Sequence, residues 1–209
     1  LSGQTLKRIE AFGKHLFYRF DDDRSIHVHL GRYGKVQEYA LPAGEPRGQV
    51  RMRFLAEQRG FDLTGPTVCA VIDADARRAV LDRLGPDPLR NDNPEPAWER
   101  IAKSKREIGG LLLDQKVLAG GGNIFRAEVL WDLKLDPTRP GSDLDREEFD
   151  RLWAEIVRTM KVGLRYGKIV TVTREEAGKP LSKVSGLDRF HVYKKPECPR
   201  CETPIHRWE

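Results

Sequence analysis

Over the first 60 residues, apolar and polar positions alternate. In Ser25–Leu30, Ile26, Val28 and Leu30 fall on one side, and His27 and His29 on the other. That two-residue period predicts a half-buried strand with its histidines on the polar face. Val50, Met52 and Phe54 alternate with Arg51 and Arg53 in the same way. His15–Phe20 and Lys35–Tyr39 read as further strands, separated by the turn formers Asp21–Asp23 and Gly31–Gly34. A short helix is expected over Ala74–Leu84. This half predicts a β-sandwich or barrel with one or two helices attached.

The period then changes. Gly85–Pro96 holds four prolines in twelve residues, and proline confines itself and its predecessor to extended or turn geometry, so a linker and domain boundary are expected there. Beyond it, Phe149, Leu152, Trp153, Ile156, Val157, Met160 and Leu164 recur at helical spacing. Asp145 with Glu148 three residues on predicts its capped start, and Gly167 its end. Two shorter helices are expected within residues 98–133, joined by Gly120–Gly122. The fold class is thus α+β, a β half and a helical half.

Composition narrows the partner rather than the fold. The 209 residues carry 39% hydrophobic and 33% charged residues and a formal net charge of +5, a globular composition whose sign suits a polyanion as well as many other partners. No apolar run approaches the roughly 20 residues of a membrane span. The sequence opens at Leu1 without a Met or a signal-peptide pattern, and is expected to be a piece of a longer chain at both ends. Three cysteines, Cys69, Cys198 and Cys201, are too few for a disulfide scaffold, which favours a reducing, cytoplasmic setting.

The segment Leu112–Trp131 carries the most chemistry. Three glycines end one helix and Asn123 opens the next, as its N-cap; exposed amides at such a start suit an anion such as phosphate. A tight interhelical turn capped by Asn123 fits the same residues. A dinucleotide-binding loop does not, because the Gly-x-Gly-x-x-Gly spacing fails at Phe125. Cys198-Pro-Arg-Cys201 has the spacing of half a zinc site, which redox thiols share.

These segments occur in an order that resembles one family. Gly13-Lys-His-Leu-Phe17, His27-Val-His-Leu-Gly-Arg-Tyr-Gly34, Leu84-Gly-Pro-Asp-Pro-Leu89, the Gly120–Asn123 turn and Val192-Tyr-Lys-Lys-Pro-Glu-Cys-Pro-Arg-Cys201 are similar to successive signatures of the formamidopyrimidine-DNA glycosylase/endonuclease VIII family. Within it the sequence looks most like the endonuclease VIII branch found in actinobacteria. The resemblance covers nearly the whole chain.

It implies a base-excision repair enzyme, a bifunctional DNA glycosylase and abasic-site lyase. Its members flip the damaged nucleotide from the duplex. They attack C1′ with the secondary amine of an N-terminal proline, assisted by a glutamate, and cleave the strand through a Schiff base by β,δ-elimination. Neither residue is in this sequence. Oxidised pyrimidines are the first expected substrate, oxidised or ring-opened purines the second; a non-catalytic damaged-DNA binder on the same scaffold is the alternative. The layout implied is a β-sandwich remainder over 1–90, a helical domain with a helix-two-turn-helix over 91–190, and a zinc-ribbon stub over 191–209. The partner is double-stranded DNA with an oxidised base or abasic site, lying in the cleft between the domains. The chain would be a monomer associated with the nucleoid.

Residue by residue, the resemblance places Lys14 at the catalytic centre and the backbone phosphate. It puts His29, Asn123 and Lys168 at DNA, and Arg32 and Tyr33 in the loop that fills the gap left by a flipped base. The family position of Arg32 is commonly Met or Leu, which puts void filling in question, although an arginine can stack on bases. Each has an ordinary counterpart: a solvated lysine, a strand histidine, a turn arginine, a helix-terminal lysine. Cys198 and Cys201 would be half of a structural zinc site whose other cysteine pair lies outside the sequence.

Overall fold

The computed structural model describes residues 4–206. These divide into two compact units, with the boundary between Arg83 and Leu84.

The first unit contains β1 (Leu6–Phe12), β2 (His15–Phe20), β3 (Ser25–His29), β4 (Lys35–Ala40), β5 (Val50–Leu55), β6 (Arg59–Thr64), β7 (Val68–Ile72) and α1 (Ala74–Leu81). One sheet has the order β1-β2-β3-β7 and the other β4-β6-β5, with every pair antiparallel. Tyr18, Phe20 and Val28 of the first sheet and Leu63 of the second form one buried cluster, packed by Leu16, Ile26, Met52, Phe54, Phe61 and Cys69. Removing such apolar area from water is the main term holding two sheets face to face. The alternation expected at Val50–Phe54 thus seats a sandwich core. At Ser25–Leu30 the expectation holds on one face only, for His27 is 6% exposed. The second face is covered too, since Arg77 of α1 lies over Phe12 and Phe17.

The second unit contains α2 (Glu95–Ala102), α3 (Ile108–Leu111), α4 (Asn123–Asp132), α5 (Arg146–Tyr166) and α6 (Arg174–Ala177). The long helix has both predicted ends. Asp145 accepts from Glu148 N–H while the Glu148 carboxylate accepts from Asp145 N–H, and Gly167 closes it in the left-handed conformation. Its Phe149, Leu152, Ile156 and Met160 pack with Ile101, Ile108, Leu111, Leu118, Val129 and Leu130 as one core. Leu164, expected on the same stripe, is 70% exposed.

The proline-rich segment is not an open linker. Gly85, Pro86, Asp87 and Pro88 are buried, and Gly85 N–H donates to Gln115 O while Pro86 O accepts from Ala119 N–H. The contact boundary therefore falls at Arg83/Leu84, before the prolines. Proline restricts backbone angles whether the chain is solvated or packed, so its density alone did not reveal the packing. The interval expected to hold two helices holds three, and none of them runs into the glycines: α3 stops at Leu111.

Candidate nucleic-acid interface

In the first unit, the strand register pairs His15 with His29, which brings the Gly13–Lys14 turn and the turn after β3 to the same end of the sheet. His15 Nδ1 lies 2.8 Å from His27 Nε2. The His15 ring is 4.8 Å from that of His29, and His27 stacks on Phe17 at 4.8 Å. His29 Nδ1 accepts the N–H of Gly31 at 3.1 Å. Burial pushes His15 down to about 4, helped by the positive charge that His29, His27 and Lys14 would carry beside it. His27 and His29 are lowered by burial first, then by charge, from His29 and from Lys14 respectively. Lys14 is exposed on its turn, yet the protein around its ammonium lowers its pKa by desolvation.

The next turn displays the two residues expected there. Gly31 has φ +64, and a Cβ on it would lie 1.8 Å from Thr67 Oγ1, so only glycine fits. Arg32 is exposed with its guanidinium 5.8 Å from the Tyr33 ring centre, and Tyr33 is 73% exposed. A flat ring and a guanidinium held out on a fixed turn can stack on bases. Sequence reading treated His15 and His27 as ordinary strand residues; the signal was their cross-strand register with His29, visible only once strands are paired. Arg59-Gly-Phe61 lies inside β6 with Phe61 against the core.

In the second unit, Leu112–Gly122 makes two successive turns between α3 and α4. Gln115 organises them: its Nε2 donates to Leu113 O and Gly121 O, and its Oε1 accepts from Gly120 N–H. A Cβ on Gly121 would lie 2.3 Å from Leu112 O, so this glycine serves the chain's own close approach. Asn123 is not the N-cap. Arg126 N–H bonds to Gly122 O, which makes Gly122 the cap and Asn123 the first helical residue, exposed at the start of α4. Gln115 fastens the two preceding glycines, so the helix winds one residue earlier than an asparagine cap would set it.

Glu128, which sequence reading passed over, is the hub of this unit. It is 2% exposed. Its Oε1 accepts from Val192 N–H at 2.8 Å and Tyr193 N–H at 2.7 Å, and its Oε2 from Thr171 Oγ1 at 2.6 Å and His191 N–H at 2.7 Å. Burial alone would raise its pKa; the bonds from His191 and Thr171 and the backbone amides outweigh that and hold it low. His191 faces two carboxylates, Glu128 at 3.2 Å from Nδ1 and Glu176 at 3.1 Å from Nε2. Lys168 donates to Ser182 O and Val184 O, both at 2.7 Å, and so ties the loop that carries α6 to the end of α5.

Cys198 Sγ accepts from Trp131 Nε1 at 3.3 Å, and Cys201 Sγ lies 3.0 Å from Thr203 Oγ1. The Trp131 N–H, with amides of the Cys198–Cys201 turn, holds the Cys198 thiol down at about 7. That environment favours thiolate, the form that ligates zinc. Among the described residues, no group of three or more His, Cys, Asp or Glu is placed to hold a metal ion. No helix among the described residues is long and apolar enough to cross a membrane.

A β-sandwich that presents Lys14 and Arg32 on turns and His29 at the end of β3, followed by a helix-two-turn-helix unit, defines a class of two-module proteins. Residues 1–73 match the formamidopyrimidine-DNA glycosylase N-terminal domain, and residues 84–175 match the formamidopyrimidine-DNA glycosylase H2TH domain. The chain belongs to the formamidopyrimidine-DNA glycosylase/endonuclease VIII family. It is 48% identical to Endonuclease 8 1 of Mycobacterium bovis, over 93% of this chain and 75% of that protein. It is 36% identical to the formamidopyrimidine-DNA glycosylase of Geobacillus kaustophilus, over 98% and 77%. The crystal structure of Lactococcus lactis Fpg (MutM) with FAPY-dG-containing DNA superposes with a TM-score of 0.77 at 25% identity, covering 98% of this chain and 77% of that one.

Proposed function

We propose that this chain is the lesion-binding part of a base-excision DNA glycosylase and abasic-site lyase that removes oxidised bases, pyrimidines foremost. The observation that carries the reading is the shared end of the first sheet, where Lys14, His29 and the Arg32–Tyr33 turn meet. A lysine and an imidazole at one strand end suit a phosphate, and the displayed turn suits the stack of bases beside it. Asn123, exposed at the start of α4, supplies a second phosphate contact with the first free amides of that helix. Lys168 acts by shaping the loop it ties down. Cys198 and Cys201 supply half the thiolates of a structural zinc site, which would stiffen the segment around Trp131.

Forming a Schiff base at C1′ requires an amine nucleophile, whose C1′–N bond replaces the bond to the departing base as the sugar ring opens, and the elimination that follows requires a proton acceptor. The proline and glutamate implied by the resemblance belong to a chain start, so the covalent step is tested on the complete gene product. Incubated with duplex carrying an oxidised pyrimidine or an abasic site, then with borohydride, it should yield a reduced protein–DNA adduct. Tight binding without adduct or cleavage would replace this reading with that of a non-catalytic damaged-DNA binder. Lys14→Ala should weaken binding of abasic-site duplex and lower the slope of log K against log salt by roughly 0.9, one phosphate charge. An unchanged slope would remove Lys14 from the interface.

A further inference from the structure

Proton inventory at the three-histidine cluster separates two ways in which His29 could hold an anion. A backbone N–H can only donate, so His29 Nδ1, 3.1 Å from Gly31 N, must present a lone pair. A second proton on this ring would set N–H against N–H at that contact and break the bond that shapes the turn. The neutral ring therefore carries its hydrogen on Nε2. The neighbouring pair is limited in the same way. His15 Nδ1 and His27 Nε2 meet at 2.8 Å, which leaves room for one hydrogen between them.

The charged groups around the rings oppose a further positive charge as well. His15, from β2, packs on His29 at 4.8 Å, and His27 of β3 packs on His15 at 5.1 Å. Lys14, on the β1–β2 turn, lies close enough to lower both His15 and His29. From β7, the residues paired with His27 and His29 are Ala70 and Val68, which carry no charge. From α1, Arg77 lies over Phe17, its guanidinium bonded to Glu10 of β1, with Arg19 of β2 on the same carboxylate.

We infer that His29 grips a DNA phosphate as a neutral Nε2–H donor, its tautomer set by the Gly31 amide, so that Lys14 supplies the charge at this site and His29 supplies direction. This rests on the proposed reading of the site as a phosphate contact. A neutral donor adds a hydrogen bond to a charged acceptor but displaces no counterion. Gly31 and His15 are then positioning residues, acting through the His29 ring.

Two measurements on the complete protein test it. Nitrogen NMR of the free protein near neutral pH should show His29 Nδ1 unprotonated and Nε2 protonated. An imidazolium, or the opposite tautomer, overturns the inference whatever the protein binds. The second measurement is affinity for an abasic-site duplex over a range of salt. His29→Ala should lower affinity roughly tenfold or more, the worth of a hydrogen bond to a charged group, with the salt slope unchanged. His29→Gln, which keeps a neutral N–H at similar reach, should recover most of that loss. A slope that drops by roughly 0.9 in His29→Ala would mean a cationic histidine and overturn the inference. Full affinity in His29→Ala would overturn it too. Loss of slope in Lys14→Ala reports separately on the phosphate reading.

Discussion

The carboxylate of Glu128 offers the sharpest test of how the helical unit is held. Glu128→Gln keeps shape and volume but replaces one acceptor oxygen with an NH2 donor. If the NH2 sits where Oε1 was, it meets the N–H groups of Val192 and Tyr193. If it sits where Oε2 was, the Thr171 hydroxyl can adapt, turning its single hydrogen to Arg189 O at 3.0 Å and accepting from the new NH2. The His191 N–H, however, is then left facing another donor. The second arrangement is the cheaper one. One buried donor orphaned, with loss of charge from the two bonds that remain, costs ~3–5 kcal/mol. Against a total of about 5–15 kcal/mol for a natural domain, that is a large fraction. Urea unfolding at neutral pH should show a lower midpoint for Glu128→Gln, with faster amide exchange at His191–Tyr193. Because the folded pKa of Glu128 lies below the ordinary 4.5, its contribution is present above that value and lost as pH falls through the folded pKa. The gap between parent and variant should therefore shrink in acid. A change under ~1 kcal/mol with those amides still protected would refute the hub role.

Two other predictions follow from the same unit. Gly121→Ala places a Cβ 2.3 Å from Leu112 O, and the turn must shift; a destabilisation of ~2–4 kcal/mol is expected, read from thermal melting, and an unchanged Tm would show that the two-turn segment is looser than described. For His191, burial acts to lower the pKa, but the bonds to Glu128 and Glu176 prevail and raise it above 6.5. The stability it lends is fully present below that value and is lost as pH rises through the folded pKa. Unfolding free energy should thus decline as pH rises above about 6.5 and through the raised folded pKa, and His191→Gln should flatten that slope.

Much of the scaffold was legible residue by residue. The long helix could be read with both ends, because a capping box and a terminal glycine act within one turn of the backbone they satisfy. The β5 strand could be read because its alternating residues meet the opposite sheet directly. The family signatures at Gly13–Phe17 and His27–Gly34 were legible for a related reason: their glycines serve turns made by neighbouring residues, as at Gly31.

Other features are decided by residues far apart in the chain. Asn123 had the chemistry of a cap, but Gln115 and its bonds to Gly120 and Gly121 gave that place to Gly122. The prolines after Gly85 marked irregular backbone, and whether that backbone lay in water or in the core depended on Gln115 and Ala119. Likewise, nothing in the spacing of Glu128 distinguished a surface helix carboxylate from one buried under Val192 and Tyr193. His27 was placed on a polar face correctly in register and wrongly in environment, since Arg77 and Phe17 cover that face. The sequence by itself determined which segments are strands and helices and where the conspicuous turns lie, because propensity, periodicity and capping act over a few residues. Only the tertiary structure decided which polar groups are buried, what satisfies them and which histidines share a proton, because those outcomes depend on partners supplied by distant parts of the chain.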